Sequence, residues 1–135
     1  MKNILIIDDD PAQATAEQVA TVLVIDDDKQ TLDVIEGYLK NDATKLVSSL
    51  SGDDIDQQIE IHNPDIIICD LILQSSDGFS VISKARSLKP GVKVIAISAD
   101  TDSIKAASLF SDKAMSKPLV REELQQAISE LAEQA

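Results

Sequence analysis

Apolar residues fall in short β-branched runs separated by stretches with helical spacing, and this alternation organises the chain from residue 22 onward. The runs are Val22–Ile25, Lys45–Ser49, Asp65–Cys69, Val92–Ile97 and a weaker Ala114–Ser116. Val22–Ile25 and Ile66–Ile68 are continuously apolar, the pattern of central strands covered on both faces. Between the runs, helical spacing places Leu32, Ile35 and Leu39 on one stripe, Ile55 and Ile59 on a second, and Val81, Ala85 and Leu88 on a third. A fourth stripe runs through Ile104, Ala107 and Phe110, and a last one through Leu124, Ala127, Ile128 and Leu131. Ser51 with Asp54 has the form of a capping box, Thr101 or Asp102 is placed to cap the fourth helix, and Pro90-Gly91 stops the third. Five strands alternating with five helices predict an α/β domain, a parallel sheet with helices on both faces.

The first twenty residues stand outside that count. Ile4-Leu5-Ile6-Ile7-Asp8-Asp9-Asp10 is echoed eighteen positions later by Val22-Leu23-Val24-Ile25-Asp26-Asp27-Asp28. Only the second copy leads into a full helix pattern, so the working site is assigned to it. Residues 1–20 are then an amino-terminal extension, an extra strand or one exchanged with a neighbouring molecule to give a homodimer, and residues 21–135 are the domain.

Composition narrows the functional classes. The 135 residues carry 24 acidic and 12 basic side chains, a net charge of -12, which disfavours direct binding to nucleic acid. The aromatic residues are Tyr38, Phe79 and Phe110, so the core is aliphatic. Cys69 alone cannot form an internal disulfide, and no apolar run has the length of a membrane span or a signal peptide. The expectation is a cytoplasmic protein without membrane insertion.

In an open α/β sheet, functional groups gather at the carboxyl ends of the strands. Those ends carry Asp26, Asp27 and Asp28, then Asp70, Ser98 and Lys117. Clustered carboxylates repel unless a cation neutralises them, and an oxygen-only ligand set favours Mg²⁺. A lysine and a hydroxyl beside that metal suit phosphoryl oxygens, so the site reads as phosphoryl-handling. Asp28 reads as a solvated turn or helix cap, Cys69 as a small apolar core residue, His62 as a surface or dipole-complementing residue at a helix end, and Lys84 and Arg86 as a solvated face.

Over essentially Thr21 to the C-terminus the sequence resembles the receiver domain of bacterial two-component response regulators. The motifs that carry the resemblance are Val22-Leu23-Val24-Ile25-Asp26-Asp27-Asp28, Pro64-Asp65-Ile66-Ile67-Ile68-Cys69-Asp70-Leu71 with Asp77-Gly78, Val94-Ile95-Ala96-Ile97-Ser98-Ala99, and Lys117-Pro118. The resemblance implies a flavodoxin-like, doubly wound five-stranded sheet of order 2-1-3-4-5. It implies that Asp70 accepts a phosphoryl group from a phosphohistidine and that Asp26, Asp27, Asp70 and the Ile72 backbone carbonyl hold Mg²⁺. It further implies that Lys117 pairs with the phosphoryl group and that Ser98 hydrogen-bonds it after transfer. The implied partners are a histidine kinase or histidine phosphotransfer protein and a downstream protein, with no catalysis beyond self-phosphorylation and slow self-dephosphorylation.

Four positions depart from the family pattern. Leu73-Gln74 replaces the usual Met-Pro pair, Ala114 replaces the usual aromatic switch residue, and Ile72 is apolar where many relatives are polar, which suits it to shield an acyl phosphate from water. Two other readings compete. A receiver-like scaffold without phosphorylation would keep only the fold. A phosphohydrolase of the haloacid dehalogenase type would need Asp-x-Asp-Gly-Thr, whereas Asp26-Asp27-Asp28 is followed by Lys29-Gln30.

Overall fold

The computed structural model describes residues 20–40, 44–74, 76–109 and 111–134. The amino-terminal echo with Asp8, Asp9 and Asp10, and Phe110 of the fourth stripe, lie outside the described residues. The elements are β1 (Ala20–Ile25), α1 (Lys29–Leu39), β2 (Thr44–Ser49), α2 (Ile55–His62), β3 (Ile66–Asp70), α3 (Gly78–Leu88), β4 (Lys93–Ser98), α4 (Thr101–Ala107), β5 (Lys113–Ser116) and α5 (Arg121–Gln134). The strands form one sheet in the order β2-β1-β3-β4-β5, every pair parallel. This is the doubly wound, flavodoxin-like arrangement expected from the sequence.

Alternation along the strands divides the core into two layers. Val22, Val24, Ile66, Ile68, Ile95 and Ile97 face Leu32, Ile35 and Leu39 of α1 and Leu124, Ala127, Ile128 and Leu131 of α5. Leu23, Ile25, Ile67, Cys69, Val94 and Ala96 face the other way, onto Ile55 and Ile59 of α2 and Val81, Ile82 and Ala85 of α3. Each large aliphatic side chain buried in these layers contributes about 1.5–3 kcal/mol relative to exposure. β3, with β1 and β4 beside it, is buried along its whole length and forms the axis of the molecule.

Aspartates start the helices. Asp28 accepts from the Gln30 backbone N–H at 3.0 Å, Asp77 from that of Phe79 at 2.9 Å, and Asp100 from that of Ser103 at 3.2 Å. The cap of α4 is thus Asp100, one position before Thr101, because its side chain also takes the Ser103 hydroxyl at 2.7 Å. At α2 the capping-box reading fails. Asp54 is the cap residue, without a side-chain cap bond, and Ser51 Oγ instead accepts from the Asp53 N–H at 3.0 Å in the preceding turn. In α3 the buried stripe runs through Gly78, Val81, Ile82 and Ala85, which leaves Leu88 in the last turn 48% exposed. Arg86, its side chain 33% exposed, also binds Asp112 at 2.9 Å, and the same carboxylate oxygen accepts the Val94 N–H at 2.8 Å, tying α3 to β4. Among the described residues no helix is long and apolar enough to cross a membrane.

Candidate functional site

Parallel register brings the strand ends to one edge. Asp70 is the last residue of β3 and Ser98 the last of β4, while Asp26 directly follows β1 and Lys117 directly follows β5. Backbone bonds continue the ladder past the strands. The Asp26 N–H donates to the Ser49 carbonyl at 3.1 Å, Leu71 to Ile97 at 3.0 Å, and Lys117 to Ser98 at 2.9 Å. The sheet itself therefore sets the spacing of the site, and side-chain choice fills it.

Lys117 Nζ lies 2.9 Å from Asp26 Oδ2 and 2.9 Å from Asp70 Oδ2. Asp70 Oδ1 accepts the Ile72 N–H at 3.0 Å, and Asp26 Oδ1 accepts the Asp28 N–H at 2.9 Å. Asp27 Oδ2 accepts the Gln74 N–H at 2.7 Å. Ser98 is fully buried, and its Oγ accepts the Asp100 N–H at 3.0 Å. One oxygen each from Asp26, Asp27 and Asp70 lies within 4.8 Å of the other two. Sequence reasoning had placed Asp26, Asp27, Asp70, Ser98 and Lys117 at this edge, and the structure brings them together. Ile72 is beside them, 59% exposed, with its N–H committed to Asp70.

The electrostatics follow from burial. Asp26 is fully buried, and desolvation raises its carboxyl above the ordinary aspartate range even though Lys117 and the Asp28 N–H pull the other way. Burial would lower the Lys117 ammonium, but hydrogen bonds and charge from Asp26 and Asp70 outweigh it and hold the group above its ordinary value. Cys69, at 0% exposure and beside Asp70, has its thiol pushed far up by burial, so it remains an inert core residue. His62, half-buried in the last turn of α2, is not part of this edge.

Three clustered carboxylates face one ammonium, which leaves excess negative charge at the edge. Asp26 Oδ2 is paired with Lys117 at 2.9 Å, and among the described residues no second polar group reaches it. Hard oxygen donors with uncompensated charge are the ligand chemistry of Mg²⁺, so the residues present fit that ion.

Gln74 is the contributor that sequence reasoning did not assign to the site. Its replacement of the usual proline was visible, but a backbone N–H reaching a carboxylate 47 residues away has no sequence signature.

Fold and site together define a receiver. A family model of the response regulator receiver domain matches residues 22–129, and the chain belongs to that family. The transcriptional regulatory protein CssR of Bacillus subtilis (strain 168) is 29% identical over 107 residues, which is 77% of this chain and 47% of that protein. The chain thus spans about half the length of this relative. Among solved structures, a CheY-like response regulator receiver domain protein from Methanospirillum hungatei JF-1 is 23% identical with a TM-score of 0.77, covering 86% of this chain and 96% of that one. A putative response regulator from Chloroflexus aurantiacus J-10-fl is 22% identical with a TM-score of 0.77, covering 85% and 98%.

Proposed function

We propose that Asp70 accepts a phosphoryl group from the phosphohistidine of a histidine kinase or histidine phosphotransfer protein, and that the acyl phosphate changes the binding of a downstream protein. The supporting observation is the Lys117 bridge, with Nζ at 2.9 Å from both Asp26 and Asp70, which puts a cation on the oxygen that would carry the phosphoryl group. In the step, an Asp70 carboxylate oxygen forms a bond to phosphorus, the phosphorus–nitrogen bond breaks, and the imidazole leaves with its electron pair. Bound through Asp26, Asp27, Asp70 and the Ile72 carbonyl, Mg²⁺ would neutralise the transferring oxygens.

The chain's own groups do the rest. The Ile72 N–H fixes the Asp70 carboxylate, and Lys117 balances the charge that arrives with the phosphoryl group. Ser98 Oγ accepts from Asp100, so its own hydroxyl hydrogen is available to a phosphoryl oxygen. That bond links the new charge to the cap of α4, a local event with a distant readout. Residue 114 is an alanine in β5 paired with Ala96, so the readout passes through the β4–α4 connection rather than through an aromatic rotamer. The receiver unit begins with β1 at Ala20, one residue before the Thr21 boundary expected from the sequence, and it acts in the cytoplasm as a switch or phosphorelay intermediate.

Incubation with Mg²⁺ and acetyl phosphate or phosphoramidate, followed by intact mass, tests this reading. Wild type should gain one phosphoryl adduct that requires Mg²⁺, and Asp70→Asn should gain none. A folded wild-type protein without an adduct would support the non-phosphorylated scaffold instead.

A further inference from the structure

The three clustered carboxylates are not held alike. Asp26 is fully buried and fixed by the Asp28 N–H and by Lys117, and Asp70 is 6% exposed and fixed by the Ile72 N–H and by Lys117. Asp27 is half-buried, and its hydrogen bond from the Gln74 N–H is 2.7 Å long. That is the length of a charge-assisted N–H to carboxylate bond. It is also shorter than the 2.9–3.0 Å bonds that fix the other two.

The donor is itself mounted on a bounded loop. Ile72 and Asp77 form an antiparallel bridge, and the Gly78 N–H donates to the Leu71 carbonyl at 3.1 Å, so the segment that carries Gln74 is pinned at both ends. Among the described residues, the Gln74–Asp27 bond is the hydrogen bond that joins this loop to the acidic turn after β1. The Gln74 side chain is exposed, so the contribution is the backbone N–H, which every residue except proline can supply.

We infer that the Gln74 N–H is the positioning group for the third carboxylate. It holds Asp27 toward Asp26 and Asp70, so that a divalent cation meets an assembled triad and does not have to order Asp27 on binding. Because binding couplings are reciprocal, a cation on Asp27 tightens the β3–α3 loop in turn. The inference rests on the reading of Asp26, Asp27 and Asp70 as the cation ligands.

The test is calorimetric titration of the full chain with Mg²⁺ for wild type, Gln74→Ala and Gln74→Pro, with amide hydrogen exchange of residue 74 alongside. Gln74→Ala keeps the N–H and should bind as wild type, whereas Gln74→Pro should bind roughly tenfold more weakly, the usual effect of losing a group that orients a metal ligand. In wild type, the residue 74 amide should be protected without metal and more protected with it. That protection should disappear in Asp27→Ala, an observation that does not need the proline variant to fold. An unprotected amide, wild-type affinity in Gln74→Pro, or equal losses in both Gln74 variants would each overturn the inference. If wild type binds Mg²⁺ and these effects appear but no phosphoryl adduct forms, the phosphoacceptor reading fails alone. If wild type does not bind Mg²⁺, both fail.

Discussion

Among the described residues Lys117 is the single ammonium shared by two buried carboxylates, and its charge can offset only one of them. Removing it leaves Asp26 at 0% exposure with no counter-charge, and breaking a buried pair in this way costs about 3–5 kcal/mol. Lys117→Met should therefore lower the urea-unfolding free energy by about 3 kcal/mol without divalent cation, the low end of that range because the lysine side chain is 20% exposed. Millimolar Mg²⁺ should restore part of the loss in that variant. Unchanged stability without metal would show that Asp26 is not carrying a buried charge. At this scale the sequence was informative about identity and silent about pairing. Asp26, Asp70, Ser98 and Lys117 were legible because each terminates a recognisable strand, while the sharing of one ammonium between two strand ends depends on register that no local pattern encodes.

The junction between β3 and α3 shows how an element delivers a reactive group. A Cβ on Gly78 would overlap the Asp70 carbonyl oxygen and the Leu71 Cα, so the first residue of α3 must be glycine for the helix to start this close to the phosphoacceptor. Gly78→Ala should cost about 2–3 kcal/mol in chemical denaturation, as overpacking against backbone does, and should slow adduct formation at Asp70. Native stability together with a native phosphorylation rate would refute the close-approach account. β1 and β3 were legible as apolar runs of strand length, and α1 and α5 as complete stripes. The misread positions were at helix ends. Leu88 continues the spacing of α3 but falls in its final turn, where the helix no longer covers the sheet. Aspartates and serines in neighbouring positions compete for the same cap, and Asp100 wins at α4 because it satisfies both the backbone and the hydroxyl of Ser103.

For the whole molecule, a charge of -12 on 135 residues makes self-repulsion part of the folding balance. Raising NaCl from about 0.01 M to about 1 M shortens the screening length from roughly 30 Å to 3 Å. The melting temperature should rise by several degrees over that range, about 4 °C for each kcal/mol of relieved repulsion in a domain of this size. At low ionic strength Mg²⁺ should raise it further than NaCl of equal ionic strength, since binding to the native state adds to screening. A melting temperature that falls with salt would mean that attractive ion pairs such as Lys113–Glu130 and Arg86–Asp112 outweigh the repulsion.

One feature of the α1–α5 seam makes the molecule observable. Tyr38 is the chain's one tyrosine, and there is no tryptophan to mask its emission. Its hydroxyl lies 3.4 Å from the Leu119 carbonyl oxygen, the Arg121 guanidinium sits 5.4 Å from the ring centroid, and the ring helps line a groove shared with Lys117 and Pro118. The protein thus carries a built-in fluorophore hydrogen-bonded to a carbonyl two residues along the chain from Lys117, and light emitted there reports on the lysine side of the site without any label.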